Sequence, residues 1–517
     1  MENLKLKITV QEICYYLFFS LLFFAKGAGL YDGQNIFKIC LILGGICLAA
    51  KLLFTEYKVK ELVIIAVLCL VSMLSYYQTR EKGILFSLMM VIGLKNIPLK
   101  RLFKVALFVW SISFIPMVIM TTLGLVSSPF RVHVRPLVGF VIRWGLGSAH
   151  PNVGHMSYLI LVILIVYILD KKVSWKSCAL LFMGNCFVFL YTVSQTGFIM
   201  TTFYLMVIMY LSYRKQPSKW EYGMVECVLP GCILASLVLP ILLTGKAFDI
   251  LNKLMNTRVM QSKRYLTEER ITLFGSRLGL NDAVNTMDNS YLFAFMTYGV
   301  ITFIILMAAY FFVIRRYIKE RKNKELAIIV TLLIAGLSEP FLFNTSFKNL
   351  SLLFWGGLIF TPMKQNSSLW GRTVCILKGG DREMEIALEK AVNVCSNIKK
   401  CISDYKKVLV IGAVIFALLW PGSYMITAVK HTEIIVPRNL CDSTDLPSVY
   451  VEDGIAAGGG LILGYKDKET PMVAFEGTLP SVEYIRGIIC RAAYGGMLGF
   501  IVVLGERYMI KYRDSRK

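Results

Sequence analysis

Between Ser127 and His155 the chain reads SSPFRVHVRPLVGFVIRWGLGSAHPNVGH. This stretch holds Arg131, Arg135 and Arg143, three of the four histidines (His133, His150, His155) and no acidic residue. A guanidinium presents a rigid fork of N–H donors that matches the oxygens of a phosphate, so a base-rich, acid-free loop suggests a site for a phosphate-type anion, the alternative being three solvated arginines and nothing more. His150, in the sequence HPN at the mouth of an apolar run, is the candidate base. A neutral imidazole can take a hydroxyl proton near pH 7. His150 could instead order the loop as a cap. His155, five residues on, points elsewhere on a helix.

A second group of arginines, Arg258, Arg264, Arg270 and Arg277, lies between Thr244 and Ser290. Here Asp249, Glu268, Glu269, Asp282 and Asp288 are interspersed. About half of these arginines are therefore expected to be salt-bridged. Asp288 and Asn289 open an apolar run, where they could act on a substrate or cap a helix. Glu339 stands beside Pro340 at another such boundary. A carboxylate at that depth costs enough that function is its default reading.

The elements that must position these groups are membrane spans. Of 517 residues, 56% are hydrophobic and 17% charged, and mean hydropathy is +0.62. No soluble domain has this balance. Apolar runs of spanning length recur, which predicts an all-α polytopic membrane protein with about fourteen transmembrane helices. The net charge of +23 sits mostly in short loops such as KNIPLKRLFK, DKKVSWK and RRYIKERKNKE. There it sets orientation rather than binding nucleic acid. Placing every such loop inside leaves both termini cytoplasmic, and puts the two arginine-bearing loops on the outer face. The thirteen cysteines form no CxxC pair or ligand cluster, so neither a disulfide framework nor a structural metal is expected.

Three regions follow. Residues 1–363 form a core of about twelve spans. Residues 364–407 are a polar cytoplasmic linker, with an amphipathic helix expected at Asp381–Ile402. Residues 408–517 form a two-span unit around a small outer segment, 429–486, whose GGGLILGY and TPMVAFEG runs read as strands. In the second outer loop a helical stretch is expected around Ile250–Thr272 and a turn at FGSRLG.

Five motifs in order resemble the Wzy-type polysaccharide polymerases of the O-antigen polymerase and ligase superfamily. They are GLKNIPLKRLFK closing a short span, GLGSAHPNVGHMSYLIL before a span, SQTGFIMTTFYL at a span entrance, the outer loop running from NTR through LFG to MDNSYLFAFMTYGVI, and SEPFLFN. The likeness covers roughly the first 365 residues.

The resemblance implies a metal-independent glycosyltransferase of the bacterial cytoplasmic membrane, without a cofactor. It would polymerise undecaprenyl-diphosphate-linked oligosaccharide repeat units into a cell-surface polysaccharide. Implied partners are membrane lipids, a flippase and a chain-length regulator. The resemblance ranks Arg258, in NTR, with Arg135 as the diphosphate clamp, beside His150 as base. Arg131, Arg143, Arg264, Arg277, Asp288, Asn289 and Glu339 are the substrate-binding candidates. Transfer of a finished glycan to a lipid or protein acceptor, and transport of the lipid-linked oligosaccharide, remain open beside polymerisation.

Overall fold

The computed structural model describes the chain except residues 1–4, 136–138, 215, 256, 279–286, 361–372, 378, 388, 429, 442–450, 453–454, 457–460, 464–470 and 515–517. A short strand β1 (Lys5–Thr9) leads into α1 (Val10–Gly27), capped by Thr9, whose side chain accepts the Glu12 N–H. Then come α2 (Asn35–Leu53), β2 (Tyr57–Lys58), α3 (Val59–Thr79), the short α4 (Gly83–Ile92) and α5 (Leu99–Thr122). A hairpin, β3 (Phe130–Arg135) and β4 (Gly139–Trp144), separates α5 from α6 (Pro151–Leu169). Next are α7 (Trp175–Thr192) and α8 (Gln195–Tyr213), each opened by a serine cap, as is α9 (Lys219–Ile233). A π-helical turn, Leu234–Val238, joins α9 to α10 (Leu239–Leu242).

Two short helices follow, α11 (Gly245–Leu254) and α12 (Arg258–Glu268), then the long α13 (Ser290–Lys319) and α14 (Asn323–Ala335). A 3₁₀ turn, Leu350–Phe354, runs into α15 (Gly356–Ile359). Beyond it lie β5 (Thr373–Val374), β6 (Glu383–Ala387), α16 (Glu389–Asp404) and α17 (Lys406–Thr427). Strands β7 (Glu433–Pro437), β8 (Val451–Glu452), β9 (Ile455–Ala456), β10 (Leu461–Ile462) and β11 (Met472–Glu476) precede the final helix, α18 (Thr478–Asp514).

The fold is mostly helical, and among the described residues nine helices are long and apolar enough to cross a membrane. Of these, α6 is the most enclosed, which suits a sequence apolar on every side. Helices α2, α3, α17 and α18 leave most of their apolar surface exposed. That is what lipid contact requires, since hydrocarbon offers no driving force to hide it.

Two local readings are corrected. The expected amphipathic helix at Asp381–Ile402 begins only at Glu389. Residues Glu383–Ala387 are instead a strand antiparallel to β1, which ties the linker to the start of the chain. The helix expected around Ile250–Thr272 is two helices, α11 and α12, broken where Thr257 adopts a left-handed φ of 67°. Helix α13 is not continuous: Gly299 has φ 82° and ψ 170°. The freed N–H groups of Val300 and Ile301 donate to the carbonyls of Thr272 (3.0 Å) and Leu273 (3.1 Å). A side chain on Gly275, itself at φ 89°, would strike the Thr297 carbonyl, so only glycine lets the loop lie this close.

Candidate functional site

The hairpin register pairs Arg131 with Arg143 and Val132 with Ile142. Alternation sends Val132 and Ile142 into a small core with Ile434 and Val436 of β7, Val473 and Phe475 of β11, and Leu479. Strands β7 and β11 therefore cover the hairpin directly. Exposed Arg131 reaches just past β7, donating to the Asn439 carbonyl (3.1 Å). Arg135 lies at the hairpin tip opposite Gly139, and its side chain is outside the described residues.

Arg143 turns the other way and is buried. Its Nε donates to the Thr192 carbonyl (3.1 Å) and its Nη2 to the Asn152 side-chain oxygen. A residue the sequence did not single out completes this arrangement. Arg486 of α18, 2% exposed, donates from Nε to the Leu190 carbonyl and from Nη1 to the Ile142 carbonyl, both at 2.8 Å, and pairs with Glu483. Two guanidiniums thus bind the last-turn carbonyls of α7, the negative end of its dipole, and lace β4 to them. Sequence spacing carries no signal for this, because Arg486 sits 344 residues from its Ile142 partner.

His150 is the N-cap of α6. Its Nδ1 accepts the Asn152 backbone N–H (3.2 Å), and Pro151 occupies the first helical turn, where its missing N–H costs nothing. With Nδ1 accepting, the neutral ring carries its proton on Nε2. In this pose the Nδ1 lone pair is committed to the cap, and the ring also lines the cavity described below. His155 is fully buried between the Thr192 hydroxyl (2.9 Å) and the Asn185 side-chain oxygen (2.8 Å), and serves the packing of α6 on α7.

The second arginine group divides. Exposed Arg264 pairs with Glu268 one turn along α12 (3.3 Å). Arg258, the first residue of α12, has Nη2 3.3 Å from Asp288 and 3.9 Å from Glu339. Buried Tyr265 docks α12 against Met287, Leu292 and Met296, which holds Arg258 there. Asn289 is committed to the helix start. Its carbonyl oxygen accepts from Tyr291 (2.9 Å) and Leu292 (3.0 Å), and its amide donates to Ser236 (2.8 Å).

Glu339 sits in a loop stapled to α13. Ser290 donates to the Glu339 carbonyl (2.6 Å) and accepts from the Leu342 N–H (3.2 Å). Tyr298 donates to the Phe343 carbonyl (2.8 Å), and Asn349 to the Leu342 carbonyl (2.7 Å). Glu339 is 5% exposed, and its Oε1 makes no hydrogen bond among the described residues. Burial, and then the charge of Asp288, push its pKa up to about 8 against the pull of Arg258 and Arg143. Lys348 in the same loop, also missed in the sequence, is buried and donates to the Val153 carbonyl (3.0 Å) and Ser157 (2.7 Å). Burial drives its pKa down to about 7.

These groups converge on a cavity of about 550 Å³. Glu81 lines it at the end of α3, His150 and Asn152 at the start of α6, Arg277 from the loop against α13, and Asp288 and Glu339 opposite. Arg258 lies behind the two carboxylates rather than on the wall. The cavity is therefore less basic than the sequence implies, with three carboxylates among its walls. Among the described residues no group of three His, Cys, Asp or Glu side chains is placed to hold a metal ion.

The arrangement is suited to proton transfer. Asp288 and Glu339 share one arginine, and burial raises the Glu339 carboxyl. Compared with known proteins, the chain matches no family model, no curated protein and no solved structure.

Proposed function

We propose that this chain is a Wzy-type polymerase. It transfers a growing glycan from undecaprenyl diphosphate to the sugar hydroxyl of the next lipid-linked repeat unit, at the outer face of the bacterial cytoplasmic membrane. The observation that carries this reading is Glu339: a buried carboxyl with an unbonded oxygen, on the wall of a cavity of about 550 Å³. A general base works best with a pKa near the operating pH, and a value of about 8 meets that condition. Glu339 takes the acceptor hydroxyl's proton. Arg258 holds Glu339 and Asp288 in place and stabilises the ionised pair. The Nε2–H of His150 and the exposed guanidinium of Arg277 face the leaving diphosphate, where fixed donors stabilise developing charge. Arg143 acts through Asn152. Arg131, Arg264 and Asn289 have structural partners and take no part.

In this reading α1, α4, α7, α14 and the segment Leu350–Ile359 would join the nine long helices as further passes, fourteen in all. With basic loops inside, the cavity opens outside, and substrate reaches it after a flippase has acted. The test is the lipid-linked pool of cells lacking this chain. Single repeat units on undecaprenyl diphosphate at the outer face are expected, with no longer species. Accumulation at the inner face would mark a transporter instead. Full-length glycan still on the lipid would mark a ligase.

A further inference from the structure

A second cavity, of about 320 Å³, lies on the other side of the loop that follows β4. It shares no lining residue with the first. Its walls are the end of α5, Trp144, and the facing ends of α17 and α18.

The charges around it do not cancel. Glu483 is taken by Arg486 and by the Trp144 indole N–H (3.2 Å). Arg491 also lines the cavity, and no carboxylate pairs with it among the described residues. Its Nη1 donates to the Gly487 carbonyl of its own helix (3.1 Å), and its guanidinium carbon lies 3.7 Å from the Tyr424 ring centroid. A side chain on Gly487 would collide with Tyr424, so this close stacking depends on glycine there. The Nδ1 of His431 is buried in the same wall without a hydrogen-bond partner among the described residues.

Two of the lining rings already have partners. Tyr424 is stacked between Arg491 and Tyr484 (5.7 Å), and Trp144 packs on Phe130 (5.1 Å). What remains, among the described residues, is a guanidinium without a carboxylate partner beside an imidazole nitrogen without a hydrogen-bond partner, a pairing that fits the oxygens of a phosphoryl group. The surroundings are apolar. Leu125, beside the lining Gly124, is 72% exposed, and Ile426, two residues after the lining Tyr424, is 86% exposed. An ionisable group at the edge of a lipid-facing surface is functional by default.

We infer that this cavity binds the anionic phosphoryl headgroup of a membrane lipid, gripped by Arg491 and His431. The site is independent of the glycan reaction, and its test does not require activity.

The probe is phosphatidylglycerol, added to the purified full-length chain in detergent and followed by native mass spectrometry. One tightly retained lipid per chain is expected, at concentrations where phosphatidylcholine is lost. Arg491→Gln should weaken retention at least tenfold. Arg491→Lys should keep part of it, because charge survives although the fork does not. Arg131→Gln, on the hairpin, should leave it unchanged. Melting temperature reports whether each variant is folded. Undiminished retention by a folded Arg491→Gln chain would overturn the proposal. So would displacement of the lipid by inorganic phosphate at equal concentration, which would make the site one for soluble phosphate.

Discussion

Replacing Glu339 by Gln removes one ionisable group and almost no volume. The carboxyl is buried, 3.9 Å from Arg258, with its pKa raised from 4.5 to about 8. If Glu339 is the base, only its ionised form works, which at pH 7 is roughly one molecule in ten. Wild-type kcat/KM should therefore climb about tenfold per pH unit below 8 and level off above it. Glu339→Gln should lose about 10²–10⁴-fold in rate, the usual worth of a positioned base, and its residual activity should lack that rise. Stability should move the opposite way. A carboxyl whose folded pKa is raised favours the folded state most below its unfolded value, and that advantage is lost as pH rises from 4.5 through 8. At about 1.4 kcal/mol per unit, several kcal/mol separate the two limits. Glu339→Gln should match wild type near pH 4.5 and melt higher at pH 8 and above. The assays are chain-length ladders of the glycan across pH and thermal melts of the purified protein. A ladder from Glu339→Gln with wild-type length and pH dependence would refute the assignment.

Three other outcomes follow from the same geometry. His150→Asn keeps an N-cap for α6, whereas His150→Ala should cost about 1 kcal/mol by thermal melting; both should lose polymer, because both lose the Nε2–H. Arg486→Ala strips partners from the Leu190 and Ile142 carbonyls and from buried Glu483, so it should destabilise by about 3–5 kcal/mol and free the hairpin to proteolysis; an unchanged cleavage pattern would show that the clamp does not hold the hairpin. Gly275→Ala meets both a positive φ and the Thr297 carbonyl, and should cost at least about 1–3 kcal/mol in a denaturation experiment.

The helices were legible because lipid imposes one rule: a long apolar run must be a helix, as α5, α6 and α13 are. Local chemistry also told the truth about caps. The alternative reading of His150 as a cap is what the structure has, and Asn289 followed the same preference. Long-range pairing was invisible. Nothing near Glu383 announces a strand partner at Thr9, and nothing near Arg143 announces Arg486. The acid-free loop suggested an anion grip, but its arginines are largely spent on backbone carbonyls. The carboxylates that face the cavity come from three separate stretches, around Glu81, Asp288 and Glu339, which only the packing of α3 and α13 brings together. The role of the last region changed most. Spacing gave it no site residue, yet its strands and Arg486 hold the hairpin.

The central claim is chain extension, and it is tested most directly with the purified chain in liposomes. A single repeat unit on undecaprenyl diphosphate, in the outer leaflet, is the only substrate. The expected products are lipid-linked dimers and longer species, with one undecaprenyl diphosphate released for each unit joined. If the single unit persists while the protein is folded and inserted, or if it crosses the bilayer without being joined, the account is contradicted.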